Sequence, residues 1–209
     1  MIYGYEPDFK SIREKALHGT TTVGLVVKDA VILAADKRAT AGTYIAHKRT
    51  RKIIKVWDRM AITTAGLVAD AQMLAEWLEN QIRFDMLEKK RPLSVRASAH
   101  LLSTLLYSYK LYPFLVQLLI GGYDTKPRLY SLDYFGSVLE EKYAATGSGS
   151  PVAIGVIEDN YRDDLPIDKA RELAVTAVRT ALKRDSATGD GIDSMVITKD
   201  GIMEYSDKA

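Results

Sequence analysis

Runs of β-branched and aliphatic residues alternate in blocks with runs of helical spacing. Residues 20–27 and 30–36 are rich in Thr, Val, Ile and Leu and flank Lys28-Asp29, so they predict a β-hairpin with a two-residue connection. In that register Val27 lies opposite Ala30, Asp36 opposite Thr21 and Lys37 opposite Thr20. Lys-Asp is a mediocre turn pair beside Asn-Gly, and a slip by one residue would exchange the side chains facing Thr20. Strands are also predicted over 53–57 and 60–65, the second ending at Gly66. From Leu67 the period changes: Leu67, Ala71, Leu74, Leu78, Ile82 and Met86 recur at helical spacing, with Asp70, Glu76, Glu79 and Asp85 between them. Pro92 ends that helix. Ser94 caps a second one, whose apolar stripe is Val95, Leu101, Leu102, Leu105 and Leu106, and Pro113 closes it.

A second β block follows over 116–120, 128–132 and 138–143, with turns at 124–127 and 135–137. The loop 146–151 leads into a short apolar segment, 152–157. After Pro166 a helix runs from Ile167 to about Arg184, with Ala170, Leu173, Ala174, Ala177 and Ala181 inward. The polar loop 185–191 precedes strands over 192–198 and 202–205. Strands, two helices, strands, a helix and strands form an α+β pattern, which two sheets stacked between helix layers would bury economically. There is no internal repeat, low-complexity run or interdomain linker.

Composition narrows the function classes. A chain of 209 residues fits one domain, or at most two small ones. Its 29 basic and 27 acidic residues leave a formal charge of +2, too balanced for a nucleic-acid or membrane-surface protein. Without cysteine there is no disulfide framework, thiolate metal site or cysteine nucleophile, which is compatible with a reducing cytoplasm. Residues 1–19 carry six charges and no apolar core run, unlike a secretory signal, and no stretch approaches the ~20 apolar residues of a membrane span.

Candidate chemistry gathers at Gly19-Thr20-Thr21-Thr22-Val23-Gly24. Read alone, this is an ordinary strand start. A threonine hydroxyl becomes a nucleophile only when a base takes its proton, and one known base is the threonine's own N-terminal amine. A free α-amine has a reference pKa of roughly 7.7–8.0, whereas an amide nitrogen cannot act so. Thr20 can therefore work this way only if the Gly19–Thr20 bond is cut and residues 1–19 leave. Other chemistries find little support. The loop 146–150 lacks the P-loop lysine, the dinucleotide spacing and the G-x-S-x-G elbow. His18, His47 and His100 are scattered, and no metal-ligand or cofactor pattern is present. The N-terminal scheme also wants a lysine, whose charge lowers the proton affinity of amine and hydroxyl, and a carboxylate to hold it. Lys52 or Lys37, with Asp36, could fill these roles. The basic run 47–52 otherwise reads as a solvated loop or an anion site.

Six motifs in order resemble one family. They are Gly19–Gly24 with Ala35-Asp36-Lys37-Arg38; Arg51-Lys52-Ile53; Ala65-Gly66-Leu67-Val68-Ala69-Asp70-Ala71-Gln72; Gly121-Gly122-Tyr123-Asp124; Thr146-Gly147-Ser148-Gly149-Ser150-Pro151; and Arg184-Asp185-Ser186-Ala187-Thr188-Gly189. The chain from Thr20 to about Thr198 is similar to proteasome β subunits of the archaeal type. The resemblance implies the four-layer αββα sandwich of N-terminal nucleophile hydrolases and a threonine-type endopeptidase without cofactor or metal. By it, Thr20 is the nucleophile, residues 1–19 a propeptide removed by autoprocessing, and residues 20–209 the catalytic domain. Asp36 and Lys52 become the supporting pair, Gly66 supplies an oxyanion-hole N–H, and Ser148, Asp185 and Thr188 support Thr20; the family often has serine at the last position. Ala39, Thr50, Ile54, Thr64 and Val68 would line an uncharged pocket that favours cleavage after apolar residues. In a strand-like segment Arg49 and Arg51 would point away from the face of Thr50. The implied partners are proteasome α subunits, other β subunits in heptameric rings, a regulatory ATPase acting through the α rings, and polypeptide substrates, all in the cytoplasm. The family's α subunits lack this threonine and keep an N-terminal helix. A non-catalytic ring subunit and a nucleic-acid-binding module are the competing readings. The intact Thr20, Asp36 and Lys52 set opposes the first, and the charge balance the second.

Overall fold

The computed structural model describes residues 19–209. The first hairpin forms as its apolar runs dictate: β1 (Thr22–Val27) and β2 (Ala30–Asp36) pair antiparallel with Val27 opposite Ala30 and Thr22 opposite Ala35. Their sheet takes in β10 (Tyr143–Thr146), β11 (Ile192–Thr198) and β12 (Gly201–Asp207), in the order β10-β1-β2-β11-β12. The second sheet is the meander β5 (Ile53–Trp57), β6 (Met60–Gly66), β7 (Val116–Tyr123), β8 (Pro127–Leu132) and β9 (Val138–Glu141).

Two helices cover each sheet. Helices α1 (Val68–Lys89) and α2 (Val95–Ser108) bury Leu74, Leu78, Ile82, Leu102 and Leu106 against Ile62, Leu118 and Ile120 of the second sheet. Helices α3 (Ser150–Asn160) and α4 (Ile167–Leu182) bury Ile157, Ala174 and Val178 against Val23, Leu25 and Ile32 of the first. Between the sheets lies a third apolar layer, including Val31, Leu33, Leu119, Leu129 and Ile197. The order is therefore helix, sheet, sheet, helix, the expected αββα sandwich.

Local signals explain the helix ends. Ser94 accepts a hydrogen bond from the Ala97 N–H at 3.1 Å, the predicted cap of α2. Helix α1 stops at Lys89, and Lys90 turns left-handed before Pro92. Leu67 and Met86, expected inward, are exposed: Leu67 is the residue before the helix and Met86 lies in its last turn.

One expectation needs correction, and two elements are not announced by the sequence pattern. The strand expected over 138–143 breaks at Lys142: β9 pairs with β8 in one sheet and β10 with β1 in the other, so the chain changes layer there. The apolar segment 152–157 belongs to helix α3, with Pro151 in its first turn and Ala153 and Ile157 buried one helical turn apart. A small hairpin, β3 (Ala39–Ala41) with β4 (Tyr44–His47), follows Asp36; its exposed positions carry no apolar period that would announce it.

Candidate active site

The β1–β2 register brings Asp36 beside Thr21, and the contact is reciprocal. The Asp36 N–H donates to the Thr21 carbonyl at 3.2 Å, and the Thr21 N–H donates to Asp36 Oδ1 at 2.9 Å. The same Oδ1 accepts from Lys52 Nζ at 2.8 Å. Oδ2 accepts from the N–H groups of Gly189 at 2.9 Å and Arg38 at 3.1 Å. Four donors thus fix a carboxylate that is only 1 % exposed.

Lys52 is buried too, at the start of β5, where its carbonyl accepts the Thr64 N–H at 2.9 Å. The run 47–52 reads from sequence as a solvated loop or an anion site, with Lys52 as a candidate partner of Asp36; in the structure the rest of the run is exposed or half-buried and Lys52 is not. Its ammonium donates a second bond, 2.9 Å long, to the Gly19 carbonyl, which also accepts from the Thr20 hydroxyl at 2.7 Å. Burial pushes the Lys52 ammonium below the usual lysine range, opposed by the Asp36 charge. Burial likewise pushes the Asp36 carboxyl up, opposed by Lys52 and by the backbone N–H groups of Thr21 and Gly189. Lys37 goes elsewhere: its Nζ lies 2.8 Å from Asp193 and donates to Ser206 Oγ at 2.9 Å. The hairpin alone left the two lysines equivalent; the structure brings Lys52, not Lys37, to Thr20.

A second polar chain approaches from the α4–β11 side. Ser148 Oγ donates to Asp185 Oδ2 at 2.6 Å and faces the N–H groups of Thr20 and Gly19, both at 3.4 Å. Thr188 Oγ1 also donates to Asp185 Oδ2, and accepts from Thr21 Oγ1 at 2.8 Å. The extra methyl that Thr188 carries relative to serine is accommodated, since the residue is buried with its hydroxyl paired on both sides.

Two glycines are required by close approach. Gly66 has φ +123°, and a Cβ there would sit 2.0 Å from the Leu115 carbonyl oxygen. Gly19 has φ +105°, and its Cβ would sit 2.1 Å from Thr40 Oγ1. Gly66 lines the same cleft as Thr20 and Lys52, together with all five expected pocket residues, Ala39, Thr50, Ile54, Thr64 and Val68. The alternation expected of the arginines holds for Arg49 and not for Arg51: Thr50, Arg51, Lys52 and Ile54 line this cleft, whereas Arg49, Arg51 and Ile53 line another on the reverse side. Arg51 borders both.

Sequence reasoning missed several neighbours. Gln72 lines the cleft one helical turn after Val68, so an i,i+4 argument on α1 would have found it. Gly189 and Arg38 were missed as supports of Asp36. Arg38 also donates from Nε to Asp190 at 2.8 Å and from Nη1 to the Ser186 carbonyl at 2.8 Å, fastening the loop 185–191 over the site. Nothing local announces that contact, because residues 38 and 190 meet only through the β2–β11 pairing.

The sequence model described as proteasome subunit matches residues 16–197. The chain belongs to the proteasome subunit family. It is 62 % identical over 192 residues to the proteasome subunit beta 2 of Hyperthermus butylicus, covering 92 % of this chain and 91 % of that one. Identity to the proteasome subunit beta 2 of Ignicoccus hospitalis is 56 % over 189 residues, 90 % of this chain and 89 % of the other. To the beta 2 subunit of Sulfolobus acidocaldarius it is 51 % over 194 residues, 93 % and 96 % of the two chains. Within the proteasome family this chain is a β subunit of the 20S particle and a threonine-type endopeptidase that assembles with α and β subunits. No helix among its described residues is long and apolar enough to cross a membrane.

Proposed function

We propose that Thr20 is the nucleophile of this endopeptidase, released when the chain cuts its own Gly19–Thr20 bond. The observation that carries the reading is the Lys52 ammonium, which bridges Asp36 and the Gly19 carbonyl next to the Thr20 hydroxyl. In the uncut chain, the hydrogen bond from Lys52 polarises that carbonyl. Thr20 Oγ1 attacks its carbon, the hydroxyl proton passes to the Thr20 nitrogen as the C–N bond breaks and that nitrogen leaves as a free amine, and residue 19 is left as an ester on Oγ1. Water hydrolyses the ester, so residues 1–19 depart as a carboxylic acid.

The freed amine then serves as the base. Its proton affinity lies near neutral pH, and the Lys52 charge lowers it together with that of the hydroxyl. The amine takes the hydroxyl proton as Oγ1 attacks a substrate carbonyl, and the Gly66 N–H donates to the oxyanion that forms. The intermediate collapses as the amine returns the proton to the leaving nitrogen. A water, deprotonated by the same amine, hydrolyses the acyl ester. Ser148, Asp185 and Thr188 hold the Thr20 nitrogen in place.

Ala39, Thr50, Ile54, Thr64 and Val68 carry no charge, so cleavage follows apolar residues; a charged side chain would lose water there without gaining a partner. The subunit works in heptameric rings capped by α rings, fed with unfolded polypeptides by an ATPase in the cytoplasm, so that the peptidase is hidden from folded proteins. Fluorogenic peptides ending in Leu, Tyr, Glu or Arg test the pocket. Turnover should be fastest after Leu or Tyr; fastest turnover after Glu would mean that Arg51 at the rim sets the choice.

A further inference from the structure

We propose that the pocket on the reverse side of residues 49–54, which shares Arg51 with the cleft at Thr20, is an oxyanion-binding site. It is lined by Lys37, Arg49, Arg51 and Ile53 on one side and by Asp193 and Glu204 on the other. The segment is pinned to the end of β2 by the Thr50 N–H, which donates to the Lys37 carbonyl at 2.9 Å. Arg49 and Arg51, two residues apart in the stretch that leads into β5, both line this pocket, as Ile53 does. Two guanidinium forks at that spacing can converge on one phosphate or carboxylate.

The charge count favours an anion. Lys37 is neutralised by Asp193 at 2.8 Å. Arg49 and Arg51 make no ion pair among the described residues, and only Glu204 remains to face them. One positive charge is left over, and the donors of two guanidinium groups exceed what one carboxylate can accept. Ile53 forms an apolar wall beside them, which strengthens electrostatic attraction by excluding water from one side.

The shared ligand chemistry is an oxyanion, from one of two sources. One is free phosphate. The other is the carboxylate that each peptide-bond hydrolysis creates; that source rests on the endopeptidase reading above, whereas phosphate binding does not. Equilibrium dialysis of radiolabelled phosphate against assembled particles, with ionic strength held constant by chloride, tests the site. Wild type should bind saturably. The double variant Arg49→Gln, Arg51→Gln should bind roughly tenfold more weakly or worse. Glu204→Gln should bind several-fold more tightly, because a repelling charge is gone. All three side chains are exposed, so none of these changes threatens folding. Displacement of phosphate by N-acetylalanine but not by its amide assigns the site to product carboxylates; no displacement assigns it to phosphate. Absence of saturable binding, or affinity unchanged in either variant, overturns the proposal.

Discussion

Among the described residues Lys52 and Asp36 form a costly pair, both nearly water-free with their charges opposed at 2.8 Å. A buried pair of this kind gains little net stability over apolar packing, while loss of one partner costs about 3–5 kcal/mol. Its position against the Gly19 carbonyl gives a chemical reason for it. Lys52→Ala should therefore lower the thermal midpoint and, per assembled particle, reduce processing and peptide turnover by about a thousandfold or more. Lys37→Ala breaks a partly exposed pair worth about 0–1 kcal/mol and should leave turnover near wild type. The reverse order of effects would return the role to Lys37. The pH profile gives a second handle. Burial lowers the Lys52 pKa and the Asp36 charge raises it. In Asp36→Asn the raising influence is gone, so Lys52 loses its proton at lower pH. If the charged ammonium is the working form, the alkaline limb of the residual kcat/KM should move to lower pH; a limb that stays or moves upward would show that Lys52 works uncharged.

The elements that place these residues were unequally legible. The β1–β2 hairpin, the α1 and α4 stripes and the Ser94 cap follow from apolar period and capping chemistry, which are local. The break at Lys142 was not, because each half of 138–146 is a good strand and only tertiary pairing decides that they join different sheets. Helix α3 was missed because a six-residue apolar run fits helix and strand alike until Pro151 and the burial of Ala153 and Ile157 are weighed. At the site, the Asp36 register could be read from the hairpin, but the choice of Lys52 over Lys37 and the support from Arg38 and Gly189 depend on contacts between distant segments. The β6–α1 junction supplies an element-scale prediction. Gly66→Ala places a side chain at φ +123° and against the Leu115 carbonyl, at 2.0 Å. Backbone strain alone should cost about 1–3 kcal/mol, lowering the thermal midpoint. Peptide turnover should fall as well if the Gly66 N–H serves the oxyanion as proposed; unaltered turnover in a destabilised protein would remove Gly66 from the mechanism.

Across the whole molecule, the sandwich carries Thr20 at the edge between its two sheets, where strands from one and the start of β5 from the other bring Asp36 and Lys52 together. The two helix layers contribute to the site's rim, Val68 and Gln72 from α1, while Ser148 just before α3 faces the Thr20 nitrogen. With Gly19 and Thr20 still joined, this arrangement already holds Lys52 against the Gly19 carbonyl, as the proposed self-cleavage requires. Intact mass measurement of this subunit, taken from assembled particles of wild type and Thr20→Ala, addresses the central claim directly. The wild-type subunit should have lost residues 1–19 and begin at Thr20, while the variant should keep Gly19 joined to residue 20. Cleavage after Gly19 in Thr20→Ala particles would contradict self-processing by the Thr20 hydroxyl.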